Sequence, residues 1–173
     1  MSPDSVSTTA TIDSAQLRRV LGAAPTSVIA VAGLDGEEPV GMIVGSFVGI
    51  SLEPPIAGVC IQLSSSTWPR LRELPRLGLS VLSDVNRAQV RQLAGPASQR
   101  FAGVGWEERS GAVLIDGACA QLTATVAEEQ IIGDHYFAVL SLDSVALPAA
   151  SEQESELRPL VFHASELKVP VAN

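Results

Sequence analysis

Four consecutive hydroxyl side chains form the densest group of possible ligand-binding residues in this sequence. They are Ser64, Ser65, Ser66 and Thr67. An apolar, strand-like run precedes them at 56–63, and the Trp-Pro pair at 68–69 suits the start of a helix. Hydroxyl groups and the N–H groups of a first helical turn together form an anion site. The alternative is that Thr67 only caps the helix and that the serines belong to a solvated loop.

Other catalytic patterns are poorly represented. The two histidines, His135 and His163, have no acidic partner at a metal-ligand spacing, so we expect no metal site. The sequence has no Gly-x-Ser-x-Gly motif, no Walker A motif and no Gly-x-Gly-x-x-Gly that opens a helix after a strand. A nucleotide would therefore have to bind by a different route, of which the hydroxyl segment is the candidate.

The elements that would position these residues are mostly strands. The predicted strands are 26–33, 39–50, 56–63, 77–82, 112–115, 118–130, 136–145 and 160–163. The predicted helices are a first one capped by Asp13 or Ser14 that ends at Gly22, a second at 67–74 and a third at 86–93. We expect a turn at Asp35-Gly36, and loops at 95–111, 131–135 and 148–158. Because no helix separates the strands between 26 and 63, the pattern favours a β-barrel with peripheral helices over an α/β sheet.

Composition limits the class of protein. The chain has 173 residues, 46% of them hydrophobic, which suits one domain with one sizeable core. We expect that domain over 12–168, between a flexible N-terminal tail, 1–11, and a C-terminal tail, 169–173. The formal net charge of -8 argues against nucleic acid as a partner. No apolar run is long enough for a membrane helix, so we expect no membrane partner.

The two cysteines, Cys60 and Cys119, stand in apolar stretches without a Cys-x-x-Cys pattern. We expect both to be buried free thiols. Free thiols, together with an N-terminus that lacks the pattern of a signal peptide, favour a cytoplasmic protein.

Short segments spread over 14–163 resemble, in their order, those of the flavin reductase-like family. They are Val40-Gly41-Met42, Ser46-Phe47, Ser51-Leu52-Glu53-Pro54-Pro55, Val59-Cys60-Ile61, Ser65-x-Thr67, Arg100-Phe101-Ala102-Gly103-Val104, Gly133-Asp134-His135 and Pro159-Leu160-Val161-Phe162-His163. Members of this family are the small flavin reductases of two-component monooxygenases. The resemblance implies a mainly β, Greek-key-like split barrel that binds flavin.

The resemblance also implies roles for individual residues. Residues 41–47 would run along the isoalloxazine ring, with glycines that let the backbone approach it. The hydroxyl segment 64–67, above all Ser65 and Thr67, would hold the flavin phosphate, and Arg100 and Phe101 would flank the flavin tail and ring. The implied cofactor-binding residues are Met42, Ile43, Val44, Gly45, Ser46, Ser64, Ser65, Ser66, Thr67, Arg100, Phe101 and His163. His135 would be catalytic, beside the nicotinamide or substrate side of the flavin.

The chain departs from the family pattern beside the ring. Many members have Thr-Ala-Asn where this chain has Ile43-Val44-Gly45, so backbone groups would replace polar side chains here. Neutral hydroxyls also stand where members often have a Lys or Arg. A flavin held in this way would exchange like a substrate.

The leading hypothesis is an NAD(P)H-dependent flavin reductase. It would transfer hydride from NADH, or NADPH, to FAD or FMN, with NADH and FAD favoured, and supply a separate monooxygenase. The resemblance further implies a homodimer. Two alternatives stay open: a flavin- or haem-binding split-barrel module without turnover, and a structural or interaction protein that has lost the ligand.

Overall fold

The computed structural model describes residues 12–147 and 157–170. The predicted N-terminal tail, 1–11, lies outside the described residues. So do 148–156, which make up most of the predicted acidic loop, and 171–173 at the C-terminus. The predicted domain limits therefore stay a prediction.

The described chain is mainly β, as predicted. In order, its elements are α1 (Ser14–Leu21), β1 (Thr26–Ser27), β2 (Ile29–Asp35), β3 (Glu38–Val44), β4 (Val48–Leu52), β5 (Pro55–Gln62), α2 (Trp68–Leu71), β6 (Leu77–Val81), α3 (Arg87–Leu93), β7 (Trp106–Arg109), β8 (Ala112–Ile115), β9 (Ala120–Ile132), β10 (His135–Ala146), β11 (Val161–His163) and β12 (Glu166–Lys168). Short 3-10 turns occupy Asp84–Asn86 and Ala97–Gln99. No helix of the described residues is long and apolar enough to cross a membrane.

Nine antiparallel strands of the described residues form the main sheet, and six of them follow one another in the order β4-β5-β10-β9-β6-β2. β2 pairs with β3 along one edge, and with β6 and then β8 along the other, while β7 pairs with β8. β3 and β4 therefore lie at opposite ends of the path through the sheet. Because only residues 45–47 connect them, the sheet must curl until its two ends meet, and the result is a barrel with an open seam between β3 and β5.

Ser46 fastens this seam. Its Oγ accepts a hydrogen bond from the N–H of Cys60 and donates one to the carbonyl of the same residue, both at 2.8 Å. The predicted continuous strand over 39–50 is therefore wrong, because the chain leaves the β3 ladder at 45–47 and crosses to β5. The predicted Asp35-Gly36 turn is confirmed, and Gly36 has the positive φ of 67° that such a turn needs.

Two apolar clusters hold the barrel and its flank together. Ile29 and Val31 of β2 point into the first cluster, inside the barrel, with Trp68 and Leu79. Ala30 of β2, with Val28 just before the strand, belongs to the second cluster, which packs the barrel against α3. A strand buried on both faces reads as a continuous apolar run, as 28–32 does.

Local differences from the predictions concern the ends of elements. α2 spans only Trp68–Leu71 instead of 67–74. β9 and β10 extend through the predicted 131–135 loop and leave only Gly133-Asp134 as the turn. β7 lies within the predicted loop 95–111, and β12 follows the predicted last strand. β12 completes a small sheet in the order β1-β11-β12.

Candidate functional site

A cavity of about 620 Å³ opens at the seam of the barrel, and we call it the seam cavity. It lies between the end of β3, the end of β5, the segment 64–67 and the start of β10. The structure brings most of the predicted site residues together around it: Met42, Ile43, Val44, Gly45, Ser46, Ser64, Ser65, Ser66, Thr67, Arg100 and His135. The residues that were spread over 94 positions of sequence thus share one cavity because the barrel closes there.

The hydroxyl segment contributes two kinds of group. Ser64 and Ser66 are exposed, whereas Thr67 is buried, with 6% of its surface accessible. The predicted capping role of Thr67 is wrong, since its backbone is already helical and its side chain makes no capping hydrogen bond. Ser65 takes that role, because its Oγ accepts from the Trp68 N–H at 3.2 Å.

Free donors remain in this segment. The backbone N–H groups of Ser66 and Thr67 have no acceptor within the described part of the chain. α2 has only four residues, so its dipole contributes little, and the donors are the local N–H and hydroxyl groups. A set of this kind, open to a cavity, can bind an oxyanion.

Arg100 connects the segment to β3. Its Nη1 donates to the Gly41 carbonyl and to Thr67 Oγ1, both at 2.7 Å, and its Nε donates to the Gly95 carbonyl at 2.8 Å. These three bonds use the N–H groups of Nε and Nη1, whereas the two on Nη2 have no acceptor among the described residues. The guanidinium is therefore fixed in place with one edge available to an anion.

The opposite wall of the seam cavity is aliphatic. Met42 packs on the first apolar cluster and Ile43 on the second, and both stay partly exposed. Ile61 and Gln62 of β5 face them across the opening. An apolar wall with few polar groups beside a donor set suits a ligand with a flat ring and an anionic tail.

Gly41 lies in close contact with other residues of the protein. A Cβ on this residue would lie 2.7 Å from Ala32 Cβ and 2.8 Å from Phe101 Cζ. The lack of a side chain at Gly41 therefore makes room for Phe101 and β2, and not for a flavin ring as predicted. Gly45, by contrast, does line the seam cavity. Phe101 itself lines a smaller neighbouring cavity.

His135 is the first residue of β10 and lies at the rim of the seam cavity, with 36% of its side chain accessible. Its Nδ1 is 2.7 Å from Asp134 Oδ1. This hydrogen bond holds the pKa of the Asp134 carboxyl below its ordinary value, so Asp134 stays an acceptor at neutral pH. Nδ1 then carries the proton in neutral His135, and Nε2 is the nitrogen left for a ligand.

His163 lies elsewhere. It lines a separate cavity of about 340 Å³ with Pro25 and Lys168, and its Nδ1 is 3.2 Å from Lys168 Nζ. The structure thus does not bring His163 to the seam cavity with the other predicted residues.

Four further residues line the seam cavity that the sequence reasoning did not select: Thr26, Cys60, Ile61 and Gln62. Cys60 is exposed, so its predicted burial is wrong. The exposure of Cys60 could have been predicted from the alternation along β5, in which Val59 and Ile61 are buried while Cys60 and Gln62 are exposed. Cys119 is only partly buried, and burial, followed by the charge of Asp84, raises the pKa of its thiol.

A split barrel whose seam cavity combines an aliphatic wall with free N–H and hydroxyl donors agrees with the class of flavin-binding barrels. The domain model described as "Flavin reductase like domain" matches residues 21–169, and the chain belongs to this family.

Named relatives are similar over most of their length. A flavin reductase of Pseudomonas putida is 31% identical over 154 residues, which are 88% of this chain and 87% of that protein. An NADH-dependent FAD reductase of Streptomyces globisporus is 38% identical over 129 residues, 71% of this chain and 70% of that one. The flavin-dependent monooxygenase reductase subunit HsaB of Mycobacterium tuberculosis is 29% identical over 156 residues, 89% and 81% of the two chains.

Among solved structures, the Streptomyces globisporus C-1027 NADH:FAD oxidoreductase SgcE6, in complex with NAD and FAD fragments, superposes with a TM-score of 0.79. The two sequences are 32% identical there, and the match covers 90% of this chain and 92% of that chain.

Proposed function

We propose that this protein is an NAD(P)H:flavin oxidoreductase that transfers hydride from NADH to FAD or FMN and supplies the reduced flavin to a separate monooxygenase. The observation that carries the proposal is the seam cavity, where an aliphatic wall from β3 faces the hydroxyl segment and Arg100. The relatives named above carry the same activity in their names.

The residues present fit a flavin nucleotide. The N–H groups of Ser66 and Thr67, the exposed Ser66 hydroxyl and Arg100 Nη2 are the donors for its phosphate. Met42 and Ile43 are the aliphatic residues of β3 beside its ring system, with their side chains on opposite faces of the strand. Gly45, between them and Ser46, keeps that end of the wall free of a side chain.

The bound nicotinamide and flavin supply the redox chemistry of the reaction. The chain's own part is to hold two flat rings against the β3 wall in van der Waals contact and to exclude water between them. His135, with Nδ1 bonded to Asp134, presents Nε2 to orient the nicotinamide amide or to hold a proton at that nitrogen. No other protein acid or base is required.

The preferred pair is NADH and FAD, because relatives at 38% and 32% identity are named for it. Steady-state kinetics with NADH or NADPH, each against FAD or FMN, tests the choice. The proposal predicts the highest kcat/KM for NADH with FAD, and a higher value for NADPH would overturn that part of it.

The proposal includes a homodimer and a separate monooxygenase partner. Exposed apolar side chains on the edge strand β4 support the dimer, and the name of the HsaB relative, a reductase subunit, supports the partner. It also includes a cytoplasmic location, which agrees with two cysteines that form no disulfide.

The direct test is the oxidation of NADH, followed at 340 nm, by the purified protein with added FAD or FMN. We expect turnover that saturates with flavin. Binding of both flavins by calorimetry without any flavin-dependent NADH or NADPH oxidation would overturn the reductase and favour a binding module.

A further inference from the structure

The carboxylate of Glu129 joins the two ends of α2. One of its oxygens accepts a hydrogen bond from the indole N–H of Trp68, the first residue of the helix, at 2.5 Å. The other accepts from Nη1 of Arg72, the residue that caps the helix, at 2.9 Å. Because Glu129 belongs to β9, these two bonds connect the helix to the hairpin that β9 forms with β10.

α2 depends on contacts of this kind. A helix of four residues is too short to be stable in water without tertiary contacts. Trp68 is fully buried in the first apolar cluster, so water cannot replace a lost partner of its indole N–H. Since a carboxylate is a stronger acceptor than a neutral group, the bond to Glu129 fixes the position of the indole and of the helix start.

The start of α2 is also the end of the hydroxyl segment. Thr67 precedes Trp68 directly, and Ser65 Oγ accepts from the Trp68 N–H at 3.2 Å. A displacement of Trp68 would therefore move the N–H groups of Ser66 and Thr67, which are the proposed phosphate donors. Glu129 does not line the seam cavity, so its effect on a ligand there passes through Trp68.

The β9-β10 hairpin also carries His135, at the rim of the seam cavity. Glu129 lies opposite Ala138 in this hairpin, and His135 lies opposite Ile132, next to the turn. The hydrogen bond from Trp68 to Glu129 therefore sets the distance between two walls of the cavity, the hydroxyl segment and the start of β10.

We propose that Glu129 is a positioning residue for flavin binding. Through the Trp68 indole it holds the phosphate donors of the hydroxyl segment at a fixed place relative to the hairpin. It thereby contributes to the preference for FMN over riboflavin, which lacks the phosphate. The inference rests on the proposed function, because it takes the hydroxyl segment as the phosphate site.

The test compares FMN with riboflavin in two variants, Glu129→Leu, which removes the acceptor, and Glu129→Gln, which keeps one for the indole. Glu128→Leu is the matched control, because Glu128 is the exposed neighbour on β9 and accepts only from Gln130 among the described residues. Calorimetry measures the Kd of both flavins, NADH oxidation measures their KM, and urea denaturation measures the stability of each variant.

We expect Glu129→Leu to weaken FMN binding about tenfold and riboflavin binding by less than about twofold, with kcat at saturating flavin unchanged. Glu129→Gln should keep most of the preference for FMN over riboflavin, and Glu128→Leu all of it. Equal losses for the two flavins, or lower stability with an unchanged preference, would give Glu129 a structural role alone and overturn the proposal.

Trp68→Phe decides the matter if Glu129→Leu does not fold. Phenylalanine keeps an aromatic ring in the first apolar cluster but has no N–H, so it removes the same hydrogen bond from the other side. It should reproduce the selective loss of FMN binding, and an unchanged preference would overturn the proposal. Failure of the proposed function is distinguishable, because calorimetry measures flavin binding whether or not the unchanged protein oxidises NADH.

Discussion

We expect Thr67 to act on the proposed flavin site directly with its backbone N–H, and through Arg100 with its hydroxyl. Its side chain is 6% exposed, and its hydroxyl accepts a hydrogen bond from the Arg100 guanidinium at 2.7 Å. The isosteric change Thr67→Val removes this acceptor, so one N–H of a largely fixed cation loses its partner. A hydrogen bond to a charged group is worth about 1.5–3 kcal/mol, and we expect the flavin KM to rise about tenfold or more.

Steady-state kinetics check this expectation, with Thr125→Val on β9 as the control, because Thr125 does not line the seam cavity. We expect kcat at saturating flavin to change less than KM. An unchanged flavin KM in Thr67→Val would contradict this role of Thr67, because flavin binding would then not depend on its hydrogen bond to Arg100.

The two cysteines should differ in reactivity. Cys60 is exposed at the seam cavity, whereas burial raises the pKa of the Cys119 thiol and leaves less thiolate at any given pH. Iodoacetamide should therefore label Cys60 first, and the labelling rate of Cys119 should continue to rise at pH values above the ordinary thiol pKa. Peptide mass spectrometry after timed quenching measures both rates.

The same labelling experiment is repeated in the presence of flavin. Saturating FMN should protect Cys60 and leave Cys119 unaffected, and Cys60→Ser should remove the protected site. If Cys60 were labelled at the same rate with and without FMN, the seam cavity would not be where flavin binds.

Most of the predicted site residues could be selected from the sequence because they belong to recognisable features. These are a hydroxyl run between a strand and a Trp-Pro pair, and a glycine-containing strand. The contacts of Thr67 were not predictable. Its partner Arg100 is 33 positions away, and only the folded barrel brings the two together. His163 lies on β11, no residue of which lines the seam cavity, and its side chain lines another cavity.

At the scale of elements, the connection between β3 and β4 depends on Ser46. Its Oγ makes two hydrogen bonds to the Cys60 backbone. Ser46→Ala removes both, and since Cys60 is exposed, water replaces part of the loss. We expect unfolding free energy to fall by about 1 kcal/mol.

Urea denaturation measures that change, and flavin KM should rise with it because residues 43–45 lose their anchor to β5. Ser51→Ala on β4 is the control, since the Ser51 side chain makes no hydrogen bond with any described residue. A Ser46→Ala variant with unchanged stability and unchanged KM would show that the seam holds without its hydrogen bonds.

α2 has its own anchor on β9. Glu129 accepts from the indole N–H of buried Trp68 at 2.5 Å and from Arg72 Nη1 at 2.9 Å. Glu129→Leu would leave the indole N–H buried without a partner, which costs about 1–3 kcal/mol. Glu129→Gln keeps an acceptor and should cost less, and urea denaturation of the two variants gives the comparison. Equal losses in both would assign the stabilisation to charge alone.

The elements themselves were predictable where periodicity or turn chemistry is strong, as in the Asp35-Gly36 hairpin and in β6. The division of β3 from β4 was not, because residues 39–50 are apolar throughout and only pairing with β5 ends the first strand. β7 was missed for the opposite reason. Its sequence is Trp-Glu-Glu-Arg, and it becomes a strand by pairing with the buried strand β8.

For the whole molecule, the barrel class followed from the lack of any crossover helix between residues 26 and 63. The proposed dimer would depend on an exposed apolar surface that the hydrophobic pattern of the sequence does not reveal. Val48, Ile50 and Leu52 on the edge strand β4 are 46%, 47% and 96% exposed. Exposed apolar side chains on an edge strand suit burial against another chain.

Sedimentation equilibrium should therefore give twice the chain mass of 18.0 kDa. The double change Ile50→Glu with Leu52→Glu should give a single chain, because two charges would have to be buried in the interface. Leu147→Glu is the control, since Leu147 is 80% exposed but follows β10 instead of lying on β4. A single-chain mass for the unchanged protein at micromolar concentration would contradict the dimer.

The contact of Gly41 with Phe101 has a consequence for anyone who diversifies this barrel in the laboratory. Any side chain at position 41 would meet Ala32, Phe101 and the Val31 carbonyl, all within 2.9 Å, and the carbonyl of this residue also accepts a hydrogen bond from Arg100. Saturation libraries screened for folding should recover only glycine there. At Gly49, where an added methyl group has no neighbour within 4 Å, the same libraries should recover many residues. Variants with a changed cofactor preference should therefore carry substitutions near position 41, and not at position 41 itself.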